Sequence, residues 1–165
     1  MSFAIRLVVI IAVIFGLTVF ADLESNRIVE KKHAALQEAT KPKVTNAHAK
    51  IGNTPMVIEI ADTEEARVRG LSGRTVLPPD HGMLFVFPQN GIYRFWMPEM
   101  HFPLDIIWID EQKRVIGAAQ NAEPIVDESN ITLYQPPHPV RYALEVNAGF
   151  VKEHHVVLGS VLDIF

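Results

Sequence analysis

The sequence predicts a mainly β domain with one or two short helices. It reads as a small antiparallel β-sandwich or barrel-like fold, preceded by an N-terminal apolar helix and a linker. Three observations carry this. About seven short apolar runs, separated by Gly, Pro, Asn and Asp turn signals, fill the chain from Pro55 onward. The chain has 165 residues, 48% hydrophobic and 21% charged, enough for one core once the ends are set aside. A fifteen-residue run without charge, Leu7 to Ala21, stands apart at the N-terminus behind Arg6.

That run, LVVIIAVIFGLTVFA, is apolar all round, which suits lipid better than a protein surface. As a helix it spans about 22 Å, against roughly 30 Å of hydrocarbon. Adding Phe3, Ala4 and Ile5, with Arg6 snorkelling to the head groups, brings it near a full span. Residues 1–21 are therefore expected to be a signal peptide, with Val19-Phe20-Ala21 as a cleavage site, or an uncleaved membrane anchor. Either way the remainder is placed outside the cytoplasm, with Arg6 inside. Residues 22–40 mix charge with a thin apolar face and suit a helical stalk. Residues 41–54 carry Pro, Gly, Asn and Thr and read as a linker, so residues 22–54 are expected to connect leader and domain.

The domain is expected over residues 55–165. Met56–Ala61 alternates apolar and polar residues and reads as a strand. Asp62 or Thr63 caps a short helix with Glu64 and Glu65 in its first turn, and Gly70 ends it. Strands follow at Met83–Phe87, Tyr93–Met97, Leu104–Ile109 and Arg114–Ala119. Residues 120–139 form a Pro-rich loop. Val140–Asn147 is another strand, Ala148–His155 a helical piece or turn, and Gly159–Ile164 a final strand. Removing residues 1–54 should, on this reading, leave a folded domain.

The formal charge of -4 becomes -5 if residues 1–21 leave, because Arg6 is their only charge (-4 minus +1). That balance lacks the basic footprint of a nucleic-acid binder. Without cysteine there is no disulfide, thiol nucleophile or thiolate metal site. The seven histidines form no HExxH or HxH pattern, and the adjacent pair His154-His155 chelates poorly. No cofactor or metal is expected. The glycines are isolated rather than phosphate-cradling, and Ser72, Ser129 and Ser160 lack an elbow motif.

An ordered set of short motifs resembles the DUF192 (UPF0127) family over about two-thirds of the chain. Its elements are Ala66-Arg67-Val68-Arg69-Gly70-Leu71, Gly82–Phe87, Phe95-Trp96-Met97, Pro103–Asp110, Ala122-Glu123-Pro124 and Leu144–Gly149. The resemblance implies a compact β fold, frequently exported, with no settled activity. This chain departs from the family pattern at Ser72 and at Pro98-Glu99-Met100. If those positions touch a ligand, its contacts differ here.

Two carboxylates stand in apolar strands, Asp105 and Glu145. Such a group costs free energy unless paired or reactive. Each is expected to accept hydrogen bonds from an arginine, among Arg69, Arg94 and Arg141, or from loop amides, with Arg69 inward and Arg67 outward on their helix. The alternative is an acid–base pair acting on an envelope polymer, as a hydrolase or lyase. Trp96 and Met97, with His101, are expected to rim a pocket whose polar network is Arg69, Asp105 and Glu145. The functional expectation is a tethered extracytoplasmic domain binding a small molecule, a glycan or an envelope protein, with the membrane met through residues 3–21 if they are not cleaved.

Overall fold

The computed structural model describes residues 27, 29–32, 44–127, 129 and 131–165. The chain divides into two units, residues 1–41 and residues 42–165. Of the first unit, residues 27 and 29–32 are helical and exposed. The leader expected over residues 1–21 and most of the expected stalk lie outside the described residues. Among the described residues, no helix is long and apolar enough to cross a membrane.

The second unit is built on one seven-stranded sheet in the order β5-β4-β6-β3-β2-β1-β7. Its strands are β1 Thr45–Ile51, β2 Thr54–Ala61, β3 His81–Gly91, β4 Leu104–Ile109, β5 Val115–Ala122, β6 Val140–Asn147 and β7 Leu162–Ile164. Helix α1, Glu64–Arg69, follows β2, and helix α2, Phe150–Glu153, follows β6. Pairing is antiparallel throughout except between β2 and β3, which run parallel. The crossover joining them carries α1, as parallel neighbours require.

The sheet curls until its two ends touch. The Val115 N–H donates to Ser160 O at 2.9 Å, and the Leu162 N–H donates to Lys113 O at 2.9 Å. The same residues reach the other end, where the Gly52 N–H donates to Val161 O at 2.9 Å. Curling gives the sheet an inner and an outer face, and both are apolar. Ile58, Leu84, Ile107 and Leu144 lie inside with Val115 and Leu162 from the end strands, closed by Phe150 and Val151 of α2. Met83, Phe85, Ile106 and Trp108 lie outside, under Ala66 of α1 and under Phe95, Met97 and Met100. β4 separates the two cores and is buried at every position. Full burial of a side chain such as Ile106 or Leu104 contributes about 1.5–3 kcal/mol.

Two expectations are corrected. Residues 45–51 are not linker: they form β1, paired with β2 along its length and with β7 at its end. Tyr93–Met97 is not a strand. It makes one bridge, Phe95 with Tyr134, and runs over the outer face of the sheet instead of within it. The strands expected at Leu104–Ile109 and Val140–Asn147 form with those bounds.

Truncation separates the two domain boundaries. A chain starting at Pro42 should keep the far-UV dichroism and melting temperature of the intact domain. A chain starting at Pro55 lacks β1 and should be unfolded or aggregated. A cooperative melt at an unchanged temperature for the shorter chain would sink this account of β1.

Candidate functional site

α1 forms where Thr63 accepts the Ala66 N–H at 3.1 Å, and it ends at Gly70, whose φ of 51° suits glycine. A β-carbon at Gly70 would stand 3.2 Å from Phe85 Cζ, so glycine also lets the helix end sit close on β3. Beyond β3 comes the segment 92–103, which turns at Pro98-Glu99. Two bonds tie that segment to the end of α1: the Ser72 hydroxyl donates to Pro98 O at 3.0 Å, and the Gly73 N–H donates to Glu99 O at 3.0 Å. Ser72 and Pro98, two of the positions where the sequence departs from the pattern of the family it resembles, therefore touch.

Between α1, β3 and this segment lies a cavity of about 570 Å³. Phe85, Phe87, Tyr93, Phe95, Met97 and Met100 wall it, Trp96 stands half exposed at its mouth, and Glu145 reaches it from β6. The rings hold one another. Phe87 stacks on Tyr93 with centroids 3.6 Å apart, and Phe95 stands edge-on to Phe85 and Phe87.

Glu145 is 5% exposed. Burial pushes its carboxyl up to about 8, and the nearby Arg74 guanidinium only partly offsets this. Arg74 is committed elsewhere. It holds Glu59 of β2 in a two-pronged bond, Nη1 to Oε1 at 2.5 Å and Nη2 to Oε2 at 2.6 Å. That bond, above all, raises the pKa of Arg74 further. Register places Glu59 opposite Met83 and Met83 opposite Glu145, so both acids stand in one row on the outer face.

Asp105 is different. It is fully buried and points to the inner face with Ile107 and Ile109, whereas Glu145 pairs with Ile106 and points to the outer face. Its Oδ1 accepts the Asn121 N–H at 2.9 Å and its Oδ2 accepts the Val151 N–H at 2.9 Å. Asn121 lies in the bulge where β5 slips against β4, and Val151 lies in the first turn of α2. Gly149 offers that helix no side-chain cap, so a carboxylate from β4 supplies one.

The expected network is thus only partly assembled. Trp96, Met97, Arg69 and Glu145 line the cavity, while Asp105 and His101 do not. His101 is exposed. Of the two kinds of partner expected for Asp105, the described residues supply backbone amides and not an arginine. The inward and outward arginines are reversed: Arg67 is half-buried and donates to Asp62 O at 2.5 Å and Val86 O at 2.9 Å, whereas Arg69 is exposed at the mouth. The hydrogen bonds to those carbonyls explain the choice, since they replace the water Arg67 gives up. Asp105 and Glu145, on opposite faces of the sheet, cannot serve one substrate as acid and base. Trp108 is core, edge-on to Phe95. Arg74 and Glu59 went unseen in the sequence because their partnership is set by register and a crossover, not by local pattern. Among the described residues, no group of three or more acidic or histidine side chains could hold a metal.

Comparison with known proteins bears on the family and the fold. Residues 45–164 match the profile of DUF192, a family described as "Uncharacterized ACR". No curated protein matches the chain. A crystal structure from Sinorhizobium meliloti 1021, of a protein provisionally described as a transcription regulator, is similar at 29% identity and a TM-score of 0.69. The match covers 75% of this chain and 97% of that one. A protein of unknown function from Novosphingobium aromaticivorans DSM 12444 is similar at 26% identity and a TM-score of 0.65, covering 76% of this chain and 95% of that one.

Asp105→Ala leaves two amides without acceptors and should cost about 1–3 kcal/mol for each in urea unfolding. Asp105→Asn, which keeps one acceptor oxygen, should cost less. Equal stability of the alanine variant and the parent would refute the capping role. Glu145 acts in the opposite sense to a paired acid. Its folded pKa lies above its unfolded value, so its stability is fully present below about pH 4.5 and is lost as pH rises through about 8. Glu145→Gln should remove that decline and gain on the parent by a few kcal/mol at pH 9. Parallel stability–pH curves for the two proteins would contradict it.

Proposed function

The chain belongs to the DUF192 family, and on that premise we propose that residues 42–165 form a small-molecule-binding domain held at the cell envelope. The observation that carries the binding reading is the cavity beside α1. It is large enough for a small ligand, walled by aromatic and thioether side chains, and contains one buried carboxyl. Sites of this kind hold a ligand's body by burial and orient it with few polar groups. Trp96 is 50% exposed at the mouth, where burying it against a ligand gains free energy.

The envelope location rests on the charge-free run Leu7–Ala21 behind Arg6. Residues 3–21 serve as the anchor. The description of the Sinorhizobium protein is not extended to this chain, whose net charge is -4. The hydrolase alternative loses its support, since it required Asp105 and Glu145 on one substrate.

A thermal-shift screen of the full chain tests the binding reading, using water-soluble aromatic acids, quaternary amines and oligosaccharides. One class should raise the melting temperature. Val68→Trp, on an exposed position lining the mouth, should abolish that shift while leaving the unliganded melt in place. A shift that survives Val68→Trp, or the lack of any shift, would refute the cavity as the site. For location, alkaline phosphatase fused after Phe165 should be active in cells. A fluorescent cytoplasmic reporter at the same junction would overturn the export reading.

A further inference from the structure

The cavity is electrically polarised along its depth. Glu145, nearly inaccessible, supplies the acidic group inside. Arg69 and Arg94 are exposed at the mouth. The Arg69 guanidinium makes no hydrogen bond to the described residues, and the Arg94 side chain makes one long contact, Nε to Gln135 Oε1 at 3.4 Å. Arg67 is spent on two carbonyls, and Glu64, also at the mouth, is exposed.

Among the described residues no group donates a hydrogen bond to Glu145, and Arg74 acts on it through charge alone. Arg74 gives both prongs of its guanidinium to Glu59. No buried side-chain oxygen is sealed away without a partner, so the Glu145 carboxyl opens onto the cavity it lines. A carboxyl placed there leaves its hydrogen-bonding positions to whatever fills the cavity. The walls around it narrow the chemistry. Phe85, Phe87, Tyr93, Phe95 and Trp96 all line the space. Aromatic faces attract cations, and alkylated ammonium groups, which keep little hydration, gain most from such a lining.

We infer that the cavity takes a zwitterionic small molecule, with an alkylated ammonium deep against Glu145 and the aromatic wall and an anionic group at the mouth between Arg69 and Arg94. This deepens the binding reading above and rests on it. A neutral apolar ligand leaves the carboxyl unmet. A simple anion meets the guanidiniums at the mouth but gains nothing from the acid inside. A simple cation passes two guanidiniums on entry. A molecule with its positive end leading and its negative end trailing satisfies both. Guanidinium forks suit the planar or tetrahedral oxygens of a carboxylate or phosphate.

Binding of the ammonium end displaces the proton from Glu145. The other charged groups facing the site are Glu59, Arg74, Glu64 and the three arginines 67, 69 and 94. Affinity should therefore rise as Glu145 ionises, by about tenfold between pH 7 and pH 9.

The test uses the full chain in phosphatidylglycerol nanodiscs, with Trp96 emission reporting binding. The probes are phosphocholine and its uncharged-end isostere 3,3-dimethylbutyl phosphate. Phosphocholine should bind at least tenfold more tightly than the isostere and should tighten from pH 7 to pH 9. Glu145→Gln should erase both the discrimination and the pH dependence. Arg69→Gln with Arg94→Gln should weaken phosphocholine but not tetramethylammonium. Equal or tighter binding of the isostere overturns the inference while leaving the cavity a binding site for another class. Binding of neither probe also overturns it, and the Val68→Trp screen then decides separately whether the cavity binds anything.

Discussion

The carboxylate of Asp105 is the interaction on which the rest of the domain depends. It sits at a fully buried position, where water is replaced by two backbone amides, one from the bulge in β5 and one from the first turn of α2. Both bonds go to one side chain, so they add a polar tie to the β4–β5 ladder and to the packing of α2 on the inner core. The bulge keeps β5 in register with β4 beyond the slip. The helix turn brings Phe150 and Val151 over the inner core. An alanine there would have emptied the polar link between sheet edge and helix at once.

Asp105 serves the inner face, and Glu145 stands on the outer face. A strand carries neighbours to opposite sides, so two acids paired one register step apart on β4 and β6 cannot meet. One acid is saturated by the backbone and builds the fold. The other faces the cavity beside α1. Arg74 and Glu59 next to it form a closed pair that supports the site without neutralising it.

Much of the fold was legible because its hydrophobic pattern is direct. Leu104–Ile109 is apolar on both faces but for Asp105, and both faces are indeed buried. Thr63 and Gly70 bracket α1 as capping chemistry requires. Other parts were hidden for physical reasons. In β1 only Ala49 and Ile51 are buried, so the strand shows a composition closer to a loop. In Tyr93–Met97 alternation is real, with Phe95 and Met97 buried and Arg94 and Trp96 exposed. Alternation reports extended backbone lying on an apolar surface, and it does not say whether a neighbouring strand completes the ladder. The site was half legible for the same reason. Trp96, Met97 and Glu145 follow from pattern, whereas Arg74 and Glu59 are joined only by three-dimensional register.

The way the sheet closes has a temporal consequence. Residues 159–165 supply both β7 beside β1 and the contacts that bring β5 to meet it. During synthesis, β1 emerges early and waits through most of the domain for its outer neighbour. Until then the curl is open, α2 has not yet capped the inner core, and the chain is a loosely ordered sheet with an unfilled edge. Closure of the curl therefore waits until residues 159–165 have emerged, so the domain completes its fold at the very end of synthesis.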